Sequence, residues 1–461
     1  MEGVGMNNNI TGGVIWKQLL LFFFPIWFGT FFQQLYNTAD AVIVGNFVGK
    51  GALAAVGTTA VVQNLLVGFF VGVASGASVV ISQYYGARKG VEVQRAVHTA
   101  MAMALLGGVG IMLIGFAASR WALSIMNTPA DVMEDAVLYL RICFLGMVPS
   151  LIYNMGTGIL RAVGDSKRPL YFLICASLTN IVLDVVLVAI LGMGVAGAAL
   201  ATVASQCVAA GMTVMSLTHT TACYRFVPSY LQLDKEMVEK IVRIGLPAGL
   251  QSVMYSLSNS VVQASINSFG TDVVAAYTAY GKIDSIFWMT MNSFGLSITT
   301  FVGQNFGAGQ YDRVKKGVRQ CALMAFVATG MLMAVTLLFG SVLFRLFVQD
   351  APVIEQGVEI LHYVVPFWPT YVLIEILSGS VRGAGDSLIP MIMTSIGVCV
   401  TRILWVLTVV ATVWHTLIGA LACYPISWSL TSLFFLVYYL QGGWLRRRIR
   451  IREAGEERQP A

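Results

Sequence analysis

The sequence predicts an all-α membrane protein: twelve transmembrane helices in two homologous six-helix bundles, arranged as parallel repeats around a central cavity. Two observations support this prediction. Only 11% of the 461 residues are charged and 57% are hydrophobic, whereas soluble domains contain about 25% charged residues. In addition, several motifs occur twice at a nearly constant separation. Because the apolar character extends along the whole chain, the composition excludes a soluble protein with one membrane anchor.

Twelve apolar segments are each long enough to cross a bilayer, which takes about 20 residues in a helix. The first follows Lys17 and is too long for the apolar region of a cleavable signal, so it is interpreted as a span. The predicted spans are 17–45, 53–82, 95–118, 134–160, 168–191, 195–219, 240–267, 273–302, 318–345, 355–380, 389–411 and 417–440.

The basic residues between these spans are distributed unequally. When the connections are assigned alternately to two sides, 22 of the 28 Lys and Arg residues fall on one side and four on the other. The positive-inside rule makes the richer side cytoplasmic. We therefore expect a multi-pass protein of a prokaryotic inner (plasma) membrane with both termini in the cytoplasm. The basic tail is explained as a topological signal, so the lipid bilayer is expected as a partner and nucleic acid is not.

The chain repeats itself in register. Arg-x-x-Gly-Asp-Ser at 161–166 recurs at 382–387, and Gln-x-x-Gly-Ala at 83–87 recurs at 304–308, both 221 residues later. Pro25 and Asn37 match Pro247 and Asn259 at a separation of 222. An even number of spans in each half makes the repeats parallel, an architecture suited to alternating access. The predicted parts are an N-terminal cytoplasmic segment 1–16, an N-lobe 17–219, a linker 220–239, a C-lobe 240–440 and a basic tail 441–461.

Carboxylates within the membrane are costly, roughly 2.5–3.5 kcal/mol on insertion scales, and therefore mark functional candidates. Asn180 and Asp184 share one face of the fifth span, because positions i and i+4 of a helix are neighbours. The topology places Asp40 and Thr202 at a similar depth. Two carboxylates in one apolar pocket require a proton or a cation between them, and Na⁺ prefers oxygen ligands such as these. The four side chains are therefore predicted to form a coupling site for H⁺ or Na⁺, with a structural polar cluster as the alternative.

The second half keeps the frame without these acids. Val262 replaces Asp40, and Trp405 or Val406 replaces Asp184. The remaining intramembrane charges that we consider are Lys282, Asp284 and Glu375, which are interpreted either as ion pairs or as a substrate-binding group. In the first span, Pro25 removes one helical hydrogen bond and permits a bend, which would link Asp40 to the shape of the cavity. The alternative is a static kink.

Other kinds of site are not indicated. No CxxC motif and no GxxxxGK[ST] motif occurs, so we expect neither a zinc site nor ATP hydrolysis. The four His residues are remote in sequence from Asp40 and Asp184, which argues against an intramembrane enzyme. We expect no cofactor apart from the coupling ion. The doubled glycine-containing motifs are interpreted as structural turns and caps.

Together, the doubled motifs, Pro25 and the set Asp40, Asn180, Asp184 and Thr202 resemble the multidrug and toxic compound extrusion (MATE) transporters over roughly residues 15–440. The resemblance implies the MATE fold, export of small organic cations and drugs in exchange for Na⁺ or H⁺, and a monomer. It implies that the four polar residues form the N-lobe cation site and that Pro25 bends the first helix. Span seven has no acid, and Glu375 lies about one turn from the span-ten acid of NorM-like members, which places the chain nearer the DinF-like side. A flippase for a lipid-linked precursor or polysaccharide unit is the alternative function.

Overall fold

The computed structural model describes residues 10–126 and 128–456, and the regular structure in these ranges is helical. Residues 1–9 of the predicted N-terminal segment and residues 457–461 of the predicted tail lie outside the described residues.

The first half contains seven helices in the described ranges. Their bounds are α1 Ile15–Phe47, α2 Lys50–Gly86, α3 Gly90–Ile125, α4 Met133–Leu145, α5 Met147–Ala162, α6 Lys167–Asp184 and α7 Gly194–His219. A π-helical turn, Val185–Ile190, continues α6 directly. These helices correspond to six predicted spans, because α4 and α5 together make one.

The second half repeats this order in the described ranges. Its helices are α8 Lys235–Asn267, α9 Thr271–Gly307, α10 Tyr311–Arg345, α11 Ala351–Val364, α12 Trp368–Gly383, α13 Leu388–Thr394, α14 Thr401–Trp405, α15 Leu417–Leu421, α16 Cys423–Leu440 and α17 Gly443–Glu456. Two π-helical segments, Ser395–Val400 and Val406–Val410, join α13 and α14 into one span.

The described helices fit twelve spans. Nine are long and apolar enough to cross a membrane, and the bent pair α4 and α5 supplies a tenth. The other two predicted spans correspond to α8 and α9, which are 33 and 37 residues long but more polar. The predicted all-α architecture is confirmed.

Two predicted spans are broken rather than continuous. Residues 134–160 bend by 47° between α4 and α5, and residues 355–380 are interrupted by the 3₁₀ turn Val365–Phe367. Proline explains both breaks, because it cannot donate a backbone hydrogen bond to the preceding turn. Pro149 lies in the first turn of α5, and Pro366 lies within the 3₁₀ turn.

The chain folds into two compact units. The first consists mainly of Leu21–Gly249, and the second contains Gly13–Leu20 and the described chain from Leu250 onward. The division falls within α8. The predicted linker 220–239 and the start of the predicted C-lobe therefore belong to the first unit.

The doubled Arg-x-x-Gly-Asp-Ser motif forms the same turn in each half. Gly164 and Gly385 have φ angles of 94° and 92°, a region that favours glycine because it lacks a Cβ atom. Asp165 accepts hydrogen bonds from the backbone N–H groups of Lys167 and Arg168 at the start of α6. The structural interpretation of this motif is confirmed.

Candidate functional site

Asp184 is the most deeply buried acid of the first half. It ends the α-helical part of α6, its side chain has no exposed surface, and neither carboxyl oxygen has a hydrogen-bond partner. Asn180, one turn earlier, is 1% exposed, and its two amide atoms also lack partners. Buried polar atoms are usually hydrogen-bonded, so these four atoms form a set of polar groups suited to binding a ligand.

Asp40 on α1 faces this group. Its Oδ1 atom is buried without a partner, and its carboxyl group lies at side-chain hydrogen-bonding range from that of Asp184. Two carboxylates are both acceptors and cannot bond to each other without a proton. Among the described residues, no basic side chain hydrogen-bonds to the buried oxygens of either group. The pair therefore requires a proton or a cation.

The fourth predicted ligand is less directly placed. Thr202 is half-buried on α7, and its backbone carbonyl accepts a hydrogen bond from the Ser205 hydroxyl. Within the described ranges, no hydrogen bond joins the Thr202 side chain to either carboxyl group. The structure thus brings Asp40 to Asp184 and Asn180, and it leaves Thr202 on the neighbouring helix.

Sequence reasoning missed several neighbours of this acidic pair. Tyr139 and Cys143, one turn apart on α4, lie close to the carboxyl groups. Both belong to a buried apolar cluster with Val188 and Val195. Such a layer excludes water and strengthens electrostatic interactions beside it. Their i, i+4 spacing was visible in the sequence, but nothing there connected it to Asp40.

Asp184 immediately precedes a π-helical turn. Its i→i−5 hydrogen bonds include Leu191 N–H to the carbonyl of Val186, at 2.9 Å. The second half has a π-helical segment, Val406–Val410, that begins 221 residues after Val185. Single π turns within helices often occur at functional sites. The backbone feature is therefore shared by both halves, while the acid is not.

The second half buries an arginine instead. Arg402 is 1% exposed; its Nε donates to the Ser427 hydroxyl at 3.1 Å and its Nη1 to the Asn259 side-chain oxygen at 3.0 Å. Its guanidinium lies 4.5 Å from the ring centroid of Tyr424 and 5.7 Å from that of Trp428. Hydrogen bonds and ring faces thus compensate for the loss of water around this charge.

The acids of the second half are also hydrogen-bonded. The Trp288 indole donates to Asp284 Oδ2 at 2.6 Å, and the Tyr371 hydroxyl donates to Glu375 Oε2 at 3.2 Å. Lys282, by contrast, is exposed on α9. Among the described residues it forms no ion pair with either acid, so the pairing of Lys282 considered from the sequence is not made.

The helix that carries Asp40 contains Pro25 without a break. α1 is continuous from Ile15 to Phe47, and Pro25 is half-buried. The missing N–H leaves one helical hydrogen bond unmade at this position. The bending of α1 at Pro25 stays a prediction.

The repeat is also recognised by comparison with known proteins. The sequence model of the MatE family matches residues 25–186 and, a second time, residues 247–408. The chain belongs to the MatE family of transporters. The second MatE match begins at the residue that was paired with Pro25 from the sequence, so the two predicted repeats are confirmed.

Curated relatives match over almost the whole MatE chain. It is 28% identical to the probable multidrug resistance proteins YoeA and YpnP of Bacillus subtilis, covering 94% and 95% of this chain and 95% and 97% of theirs. A solved outward-facing structure of a multidrug resistance MATE family transporter has a TM-score of 0.90 at 23% identity, covering 97% of this chain and 100% of that one. The structural likeness establishes the fold.

Proposed function

We propose that this MatE transporter is a secondary antiporter that exports organic cations, including drugs, in exchange for H⁺ or Na⁺. The observation that carries the proposal is the buried pair Asp40 and Asp184, whose apposed carboxyl groups have no basic partner among the described residues. The printed names of the relatives, probable multidrug resistance proteins, support the class of substrate.

The charge balance of the pair suggests how exchange works. When a proton or Na⁺ binds between Asp40 and Asp184, their repulsion falls and the pocket becomes stable in the apolar interior. When the ion leaves, the uncompensated charge favours a conformation that rehydrates the pocket. A coupling ion then shifts a conformational equilibrium through its different affinity for the two states. Bending of α1 at Pro25 is the proposed link between this site and the substrate path.

The details of subfamily and mechanism form part of the same proposal. The absence of an acid from the seventh span supports a place nearer the DinF-like than the NorM-like members. A flippase for a lipid-linked precursor is not favoured, because the two apposed carboxylates would repel the diphosphate of such a cargo.

Proteoliposomes with separately imposed pH and Na⁺ gradients test the proposal. Efflux of a fluorescent organic cation should follow one of these gradients and collapse when that gradient is dissipated. Asp184→Asn should reduce gradient-driven efflux by about an order of magnitude or more, the range of a typical coupling free energy. Asp131→Asn is the matched control, because Asp131 is an exposed acid of the same unit. Full coupled efflux by Asp184→Asn would disprove the site.

A further inference from the structure

Arg402 occupies a position in the second half that corresponds to the acidic site of the first. The two family matches begin at residues 25 and 247 and end at residues 186 and 408, so both ends are displaced by 222 residues. At this displacement Arg402 corresponds to Asn180, and the fully buried Val262 corresponds to Asp40. A cationic side chain thus lies where the first half places polar groups without a cation.

The partners of Arg402 follow the same correspondence. Asn259, which accepts from Nη1, corresponds to Asn37. Continued beyond the family match, the displacement pairs Ser427 and Tyr424 with Ser205 and Thr202 on α7. The guanidinium therefore contacts α8 and α16, the counterparts of the helices α1 and α7 that carry Asp40 and Thr202.

A carboxylate balances this cation. Asp284 on α9 lies within electrostatic range of Arg402. α2 and α9 begin at 50 and 271 and end at 86 and 307, a displacement of 221, so Asp284 corresponds to Gln63. Gln63 lies beside Cys143 at the acidic pair. The first half thus combines two carboxylates with a neutral amide, and the second half combines one carboxylate with a guanidinium.

The other acid of the second half has a separate environment. Glu375 accepts a hydrogen bond from Tyr371 and lies within electrostatic range of Arg382. Asp284 and Glu375 are therefore each near an arginine. Among the described residues, the acidic pair of the first half has no such neighbour in its hydrogen-bonding contacts.

We propose that Arg402 is a tethered cation: its guanidinium fills, in the second half, the site that a mobile coupling ion occupies in the first. This inference rests on the proposed ion site at Asp40 and Asp184. Because a side chain cannot leave its helix, the second half exchanges no ion, and the transporter has a single ion-coupling site. Arg402 acts as a positioning residue for this half and sets its ion stoichiometry.

Chemical rescue tests the tethered cation directly. Arg402→Ala in the full-length protein should lower the melting temperature, and millimolar guanidinium should restore it in a saturable manner by entering the vacated site. Tetramethylammonium at equal concentration should not restore it. Arg120→Ala is the matched control, since Arg120 forms an exposed salt bridge with Glu134, and guanidinium should not affect that variant. Absence of a guanidinium-specific rise in Arg402→Ala would overturn the proposal.

A second variant gives a readout that a structural arginine would not change. Arg402→Gln keeps hydrogen-bonding capacity without the charge and leaves Asp284 unbalanced. The number of cations bound per protein, measured by ²²Na⁺ binding and by proton uptake, should rise from one to two. The additional cation should be lost again in Arg402→Gln combined with Asp284→Asn. An unchanged count in Arg402→Gln would contradict a tethered cation.

The two proposals fail in different ways. If Asp184→Asn retains coupled export, the proposed function is wrong even where guanidinium stabilises Arg402→Ala. If Asp184→Asn abolishes coupling while Arg402→Ala ignores guanidinium and Arg402→Gln binds no further cation, the function stands and the tethered cation is wrong.

Discussion

The two halves of the molecule share a backbone and differ in buried charge. Both place a π-helical segment at the same point of the repeat, Val185–Ile190 and Val406–Val410, and both turn at a left-handed glycine, Gly164 or Gly385. The first half nevertheless apposes two acids, while the second buries Arg402. Helix geometry depends on many short-range contacts, whereas the charge of a site depends on one or two side chains. A repeat can therefore keep its frame while its chemistry diverges.

The energetic consequences of this difference are opposite. Arg402 in the second half is compensated by hydrogen bonds and by the faces of Tyr424 and Trp428, a cation–π contribution of about 2 kcal/mol or more when desolvated. Asp184 in the first half has no hydrogen-bond partner among the described residues. One half is thus complete as folded, and the other is completed by an ion.

The comparison extends to helix packing, where the largest effect is expected. Gly76 of α2 packs on the backbone of Gly245 in α8, and a Cβ atom at Gly76 would lie 2.5 Å from the Gly245 nitrogen. The counterpart of Gly76 is Ser297, whose hydroxyl donates to the carbonyl of Ser293 in its own helix. Small residues allow such close approach between membrane helices.

Exchanging these residues between the halves should have unequal effects. Gly76→Ser should destabilise the protein by about 3 kcal/mol or more, because backbone atoms cannot move aside. Ser297→Gly should cost about 1 kcal/mol from helix propensity. Melting temperatures in detergent measure both. Equal losses would show that α2 and α9 are packed alike and would break this part of the comparison.

A smaller difference is expected at the repeated Gly-Asp-Ser turn. Asp386 forms an ion pair with Arg448 of α17 at 3.4 Å, with side chains only 10% and 16% exposed. Its counterpart Asp165 pairs with Arg168, which is 47% exposed. Arg448 also donates to the carbonyl of Gly385.

Removing the two arginines should therefore separate the halves again. Arg448→Ala should destabilise by about 1.5–3 kcal/mol, as for a hydrogen bond to a charged group with little solvent exposure. Arg168→Ala should cost less than about 1 kcal/mol, as for an exposed pair. Thermal unfolding of both variants in one buffer measures the difference. A larger loss in Arg168→Ala would reverse the assignment.

The smallest effect concerns acid stability of the first unit. Hydrogen bonds from Arg95, at 2.6 and 2.9 Å, hold the pKa of Asp234 below its usual range. The stabilisation is therefore complete above the ordinary pKa of aspartate and is lost as the pH falls below it. Asp234→Asn should lower the melting temperature at neutral pH, by less than about 1 kcal/mol given the exposed arginine.

The difference between Asp234→Asn and the native protein should disappear in acid. Melting temperatures measured from neutral to acid pH follow this convergence. The control in the second half is Asp312→Asn, because Asp312 is 93% exposed and lies 3.8 Å from Lys315. A constant difference across the pH range would exclude Asp234 as its source.

The fold could be read from the sequence to a large extent, and the site only in part. Span positions follow from apolar runs, which are local, and the repeat follows from motifs at fixed separation. The breaks between α4 and α5 and between α11 and α12 were missed. The prolines that cause them were visible in the sequence, but tertiary packing decides whether a proline kinks a membrane helix or interrupts it.

The sequence by itself determined that the chain is a two-fold repeat of membrane helices and that Asp40, Asn180 and Asp184 are polar groups in an apolar setting. Only the tertiary structure decided which of them meet. It placed Asp40 against Asp184 from helices far apart in the chain, surrounded Arg402 with Asn259, Ser427 and ring faces, and left Lys282 exposed. The physical reason is that burial cost can be read from composition, whereas its compensation depends on partners that the fold brings together.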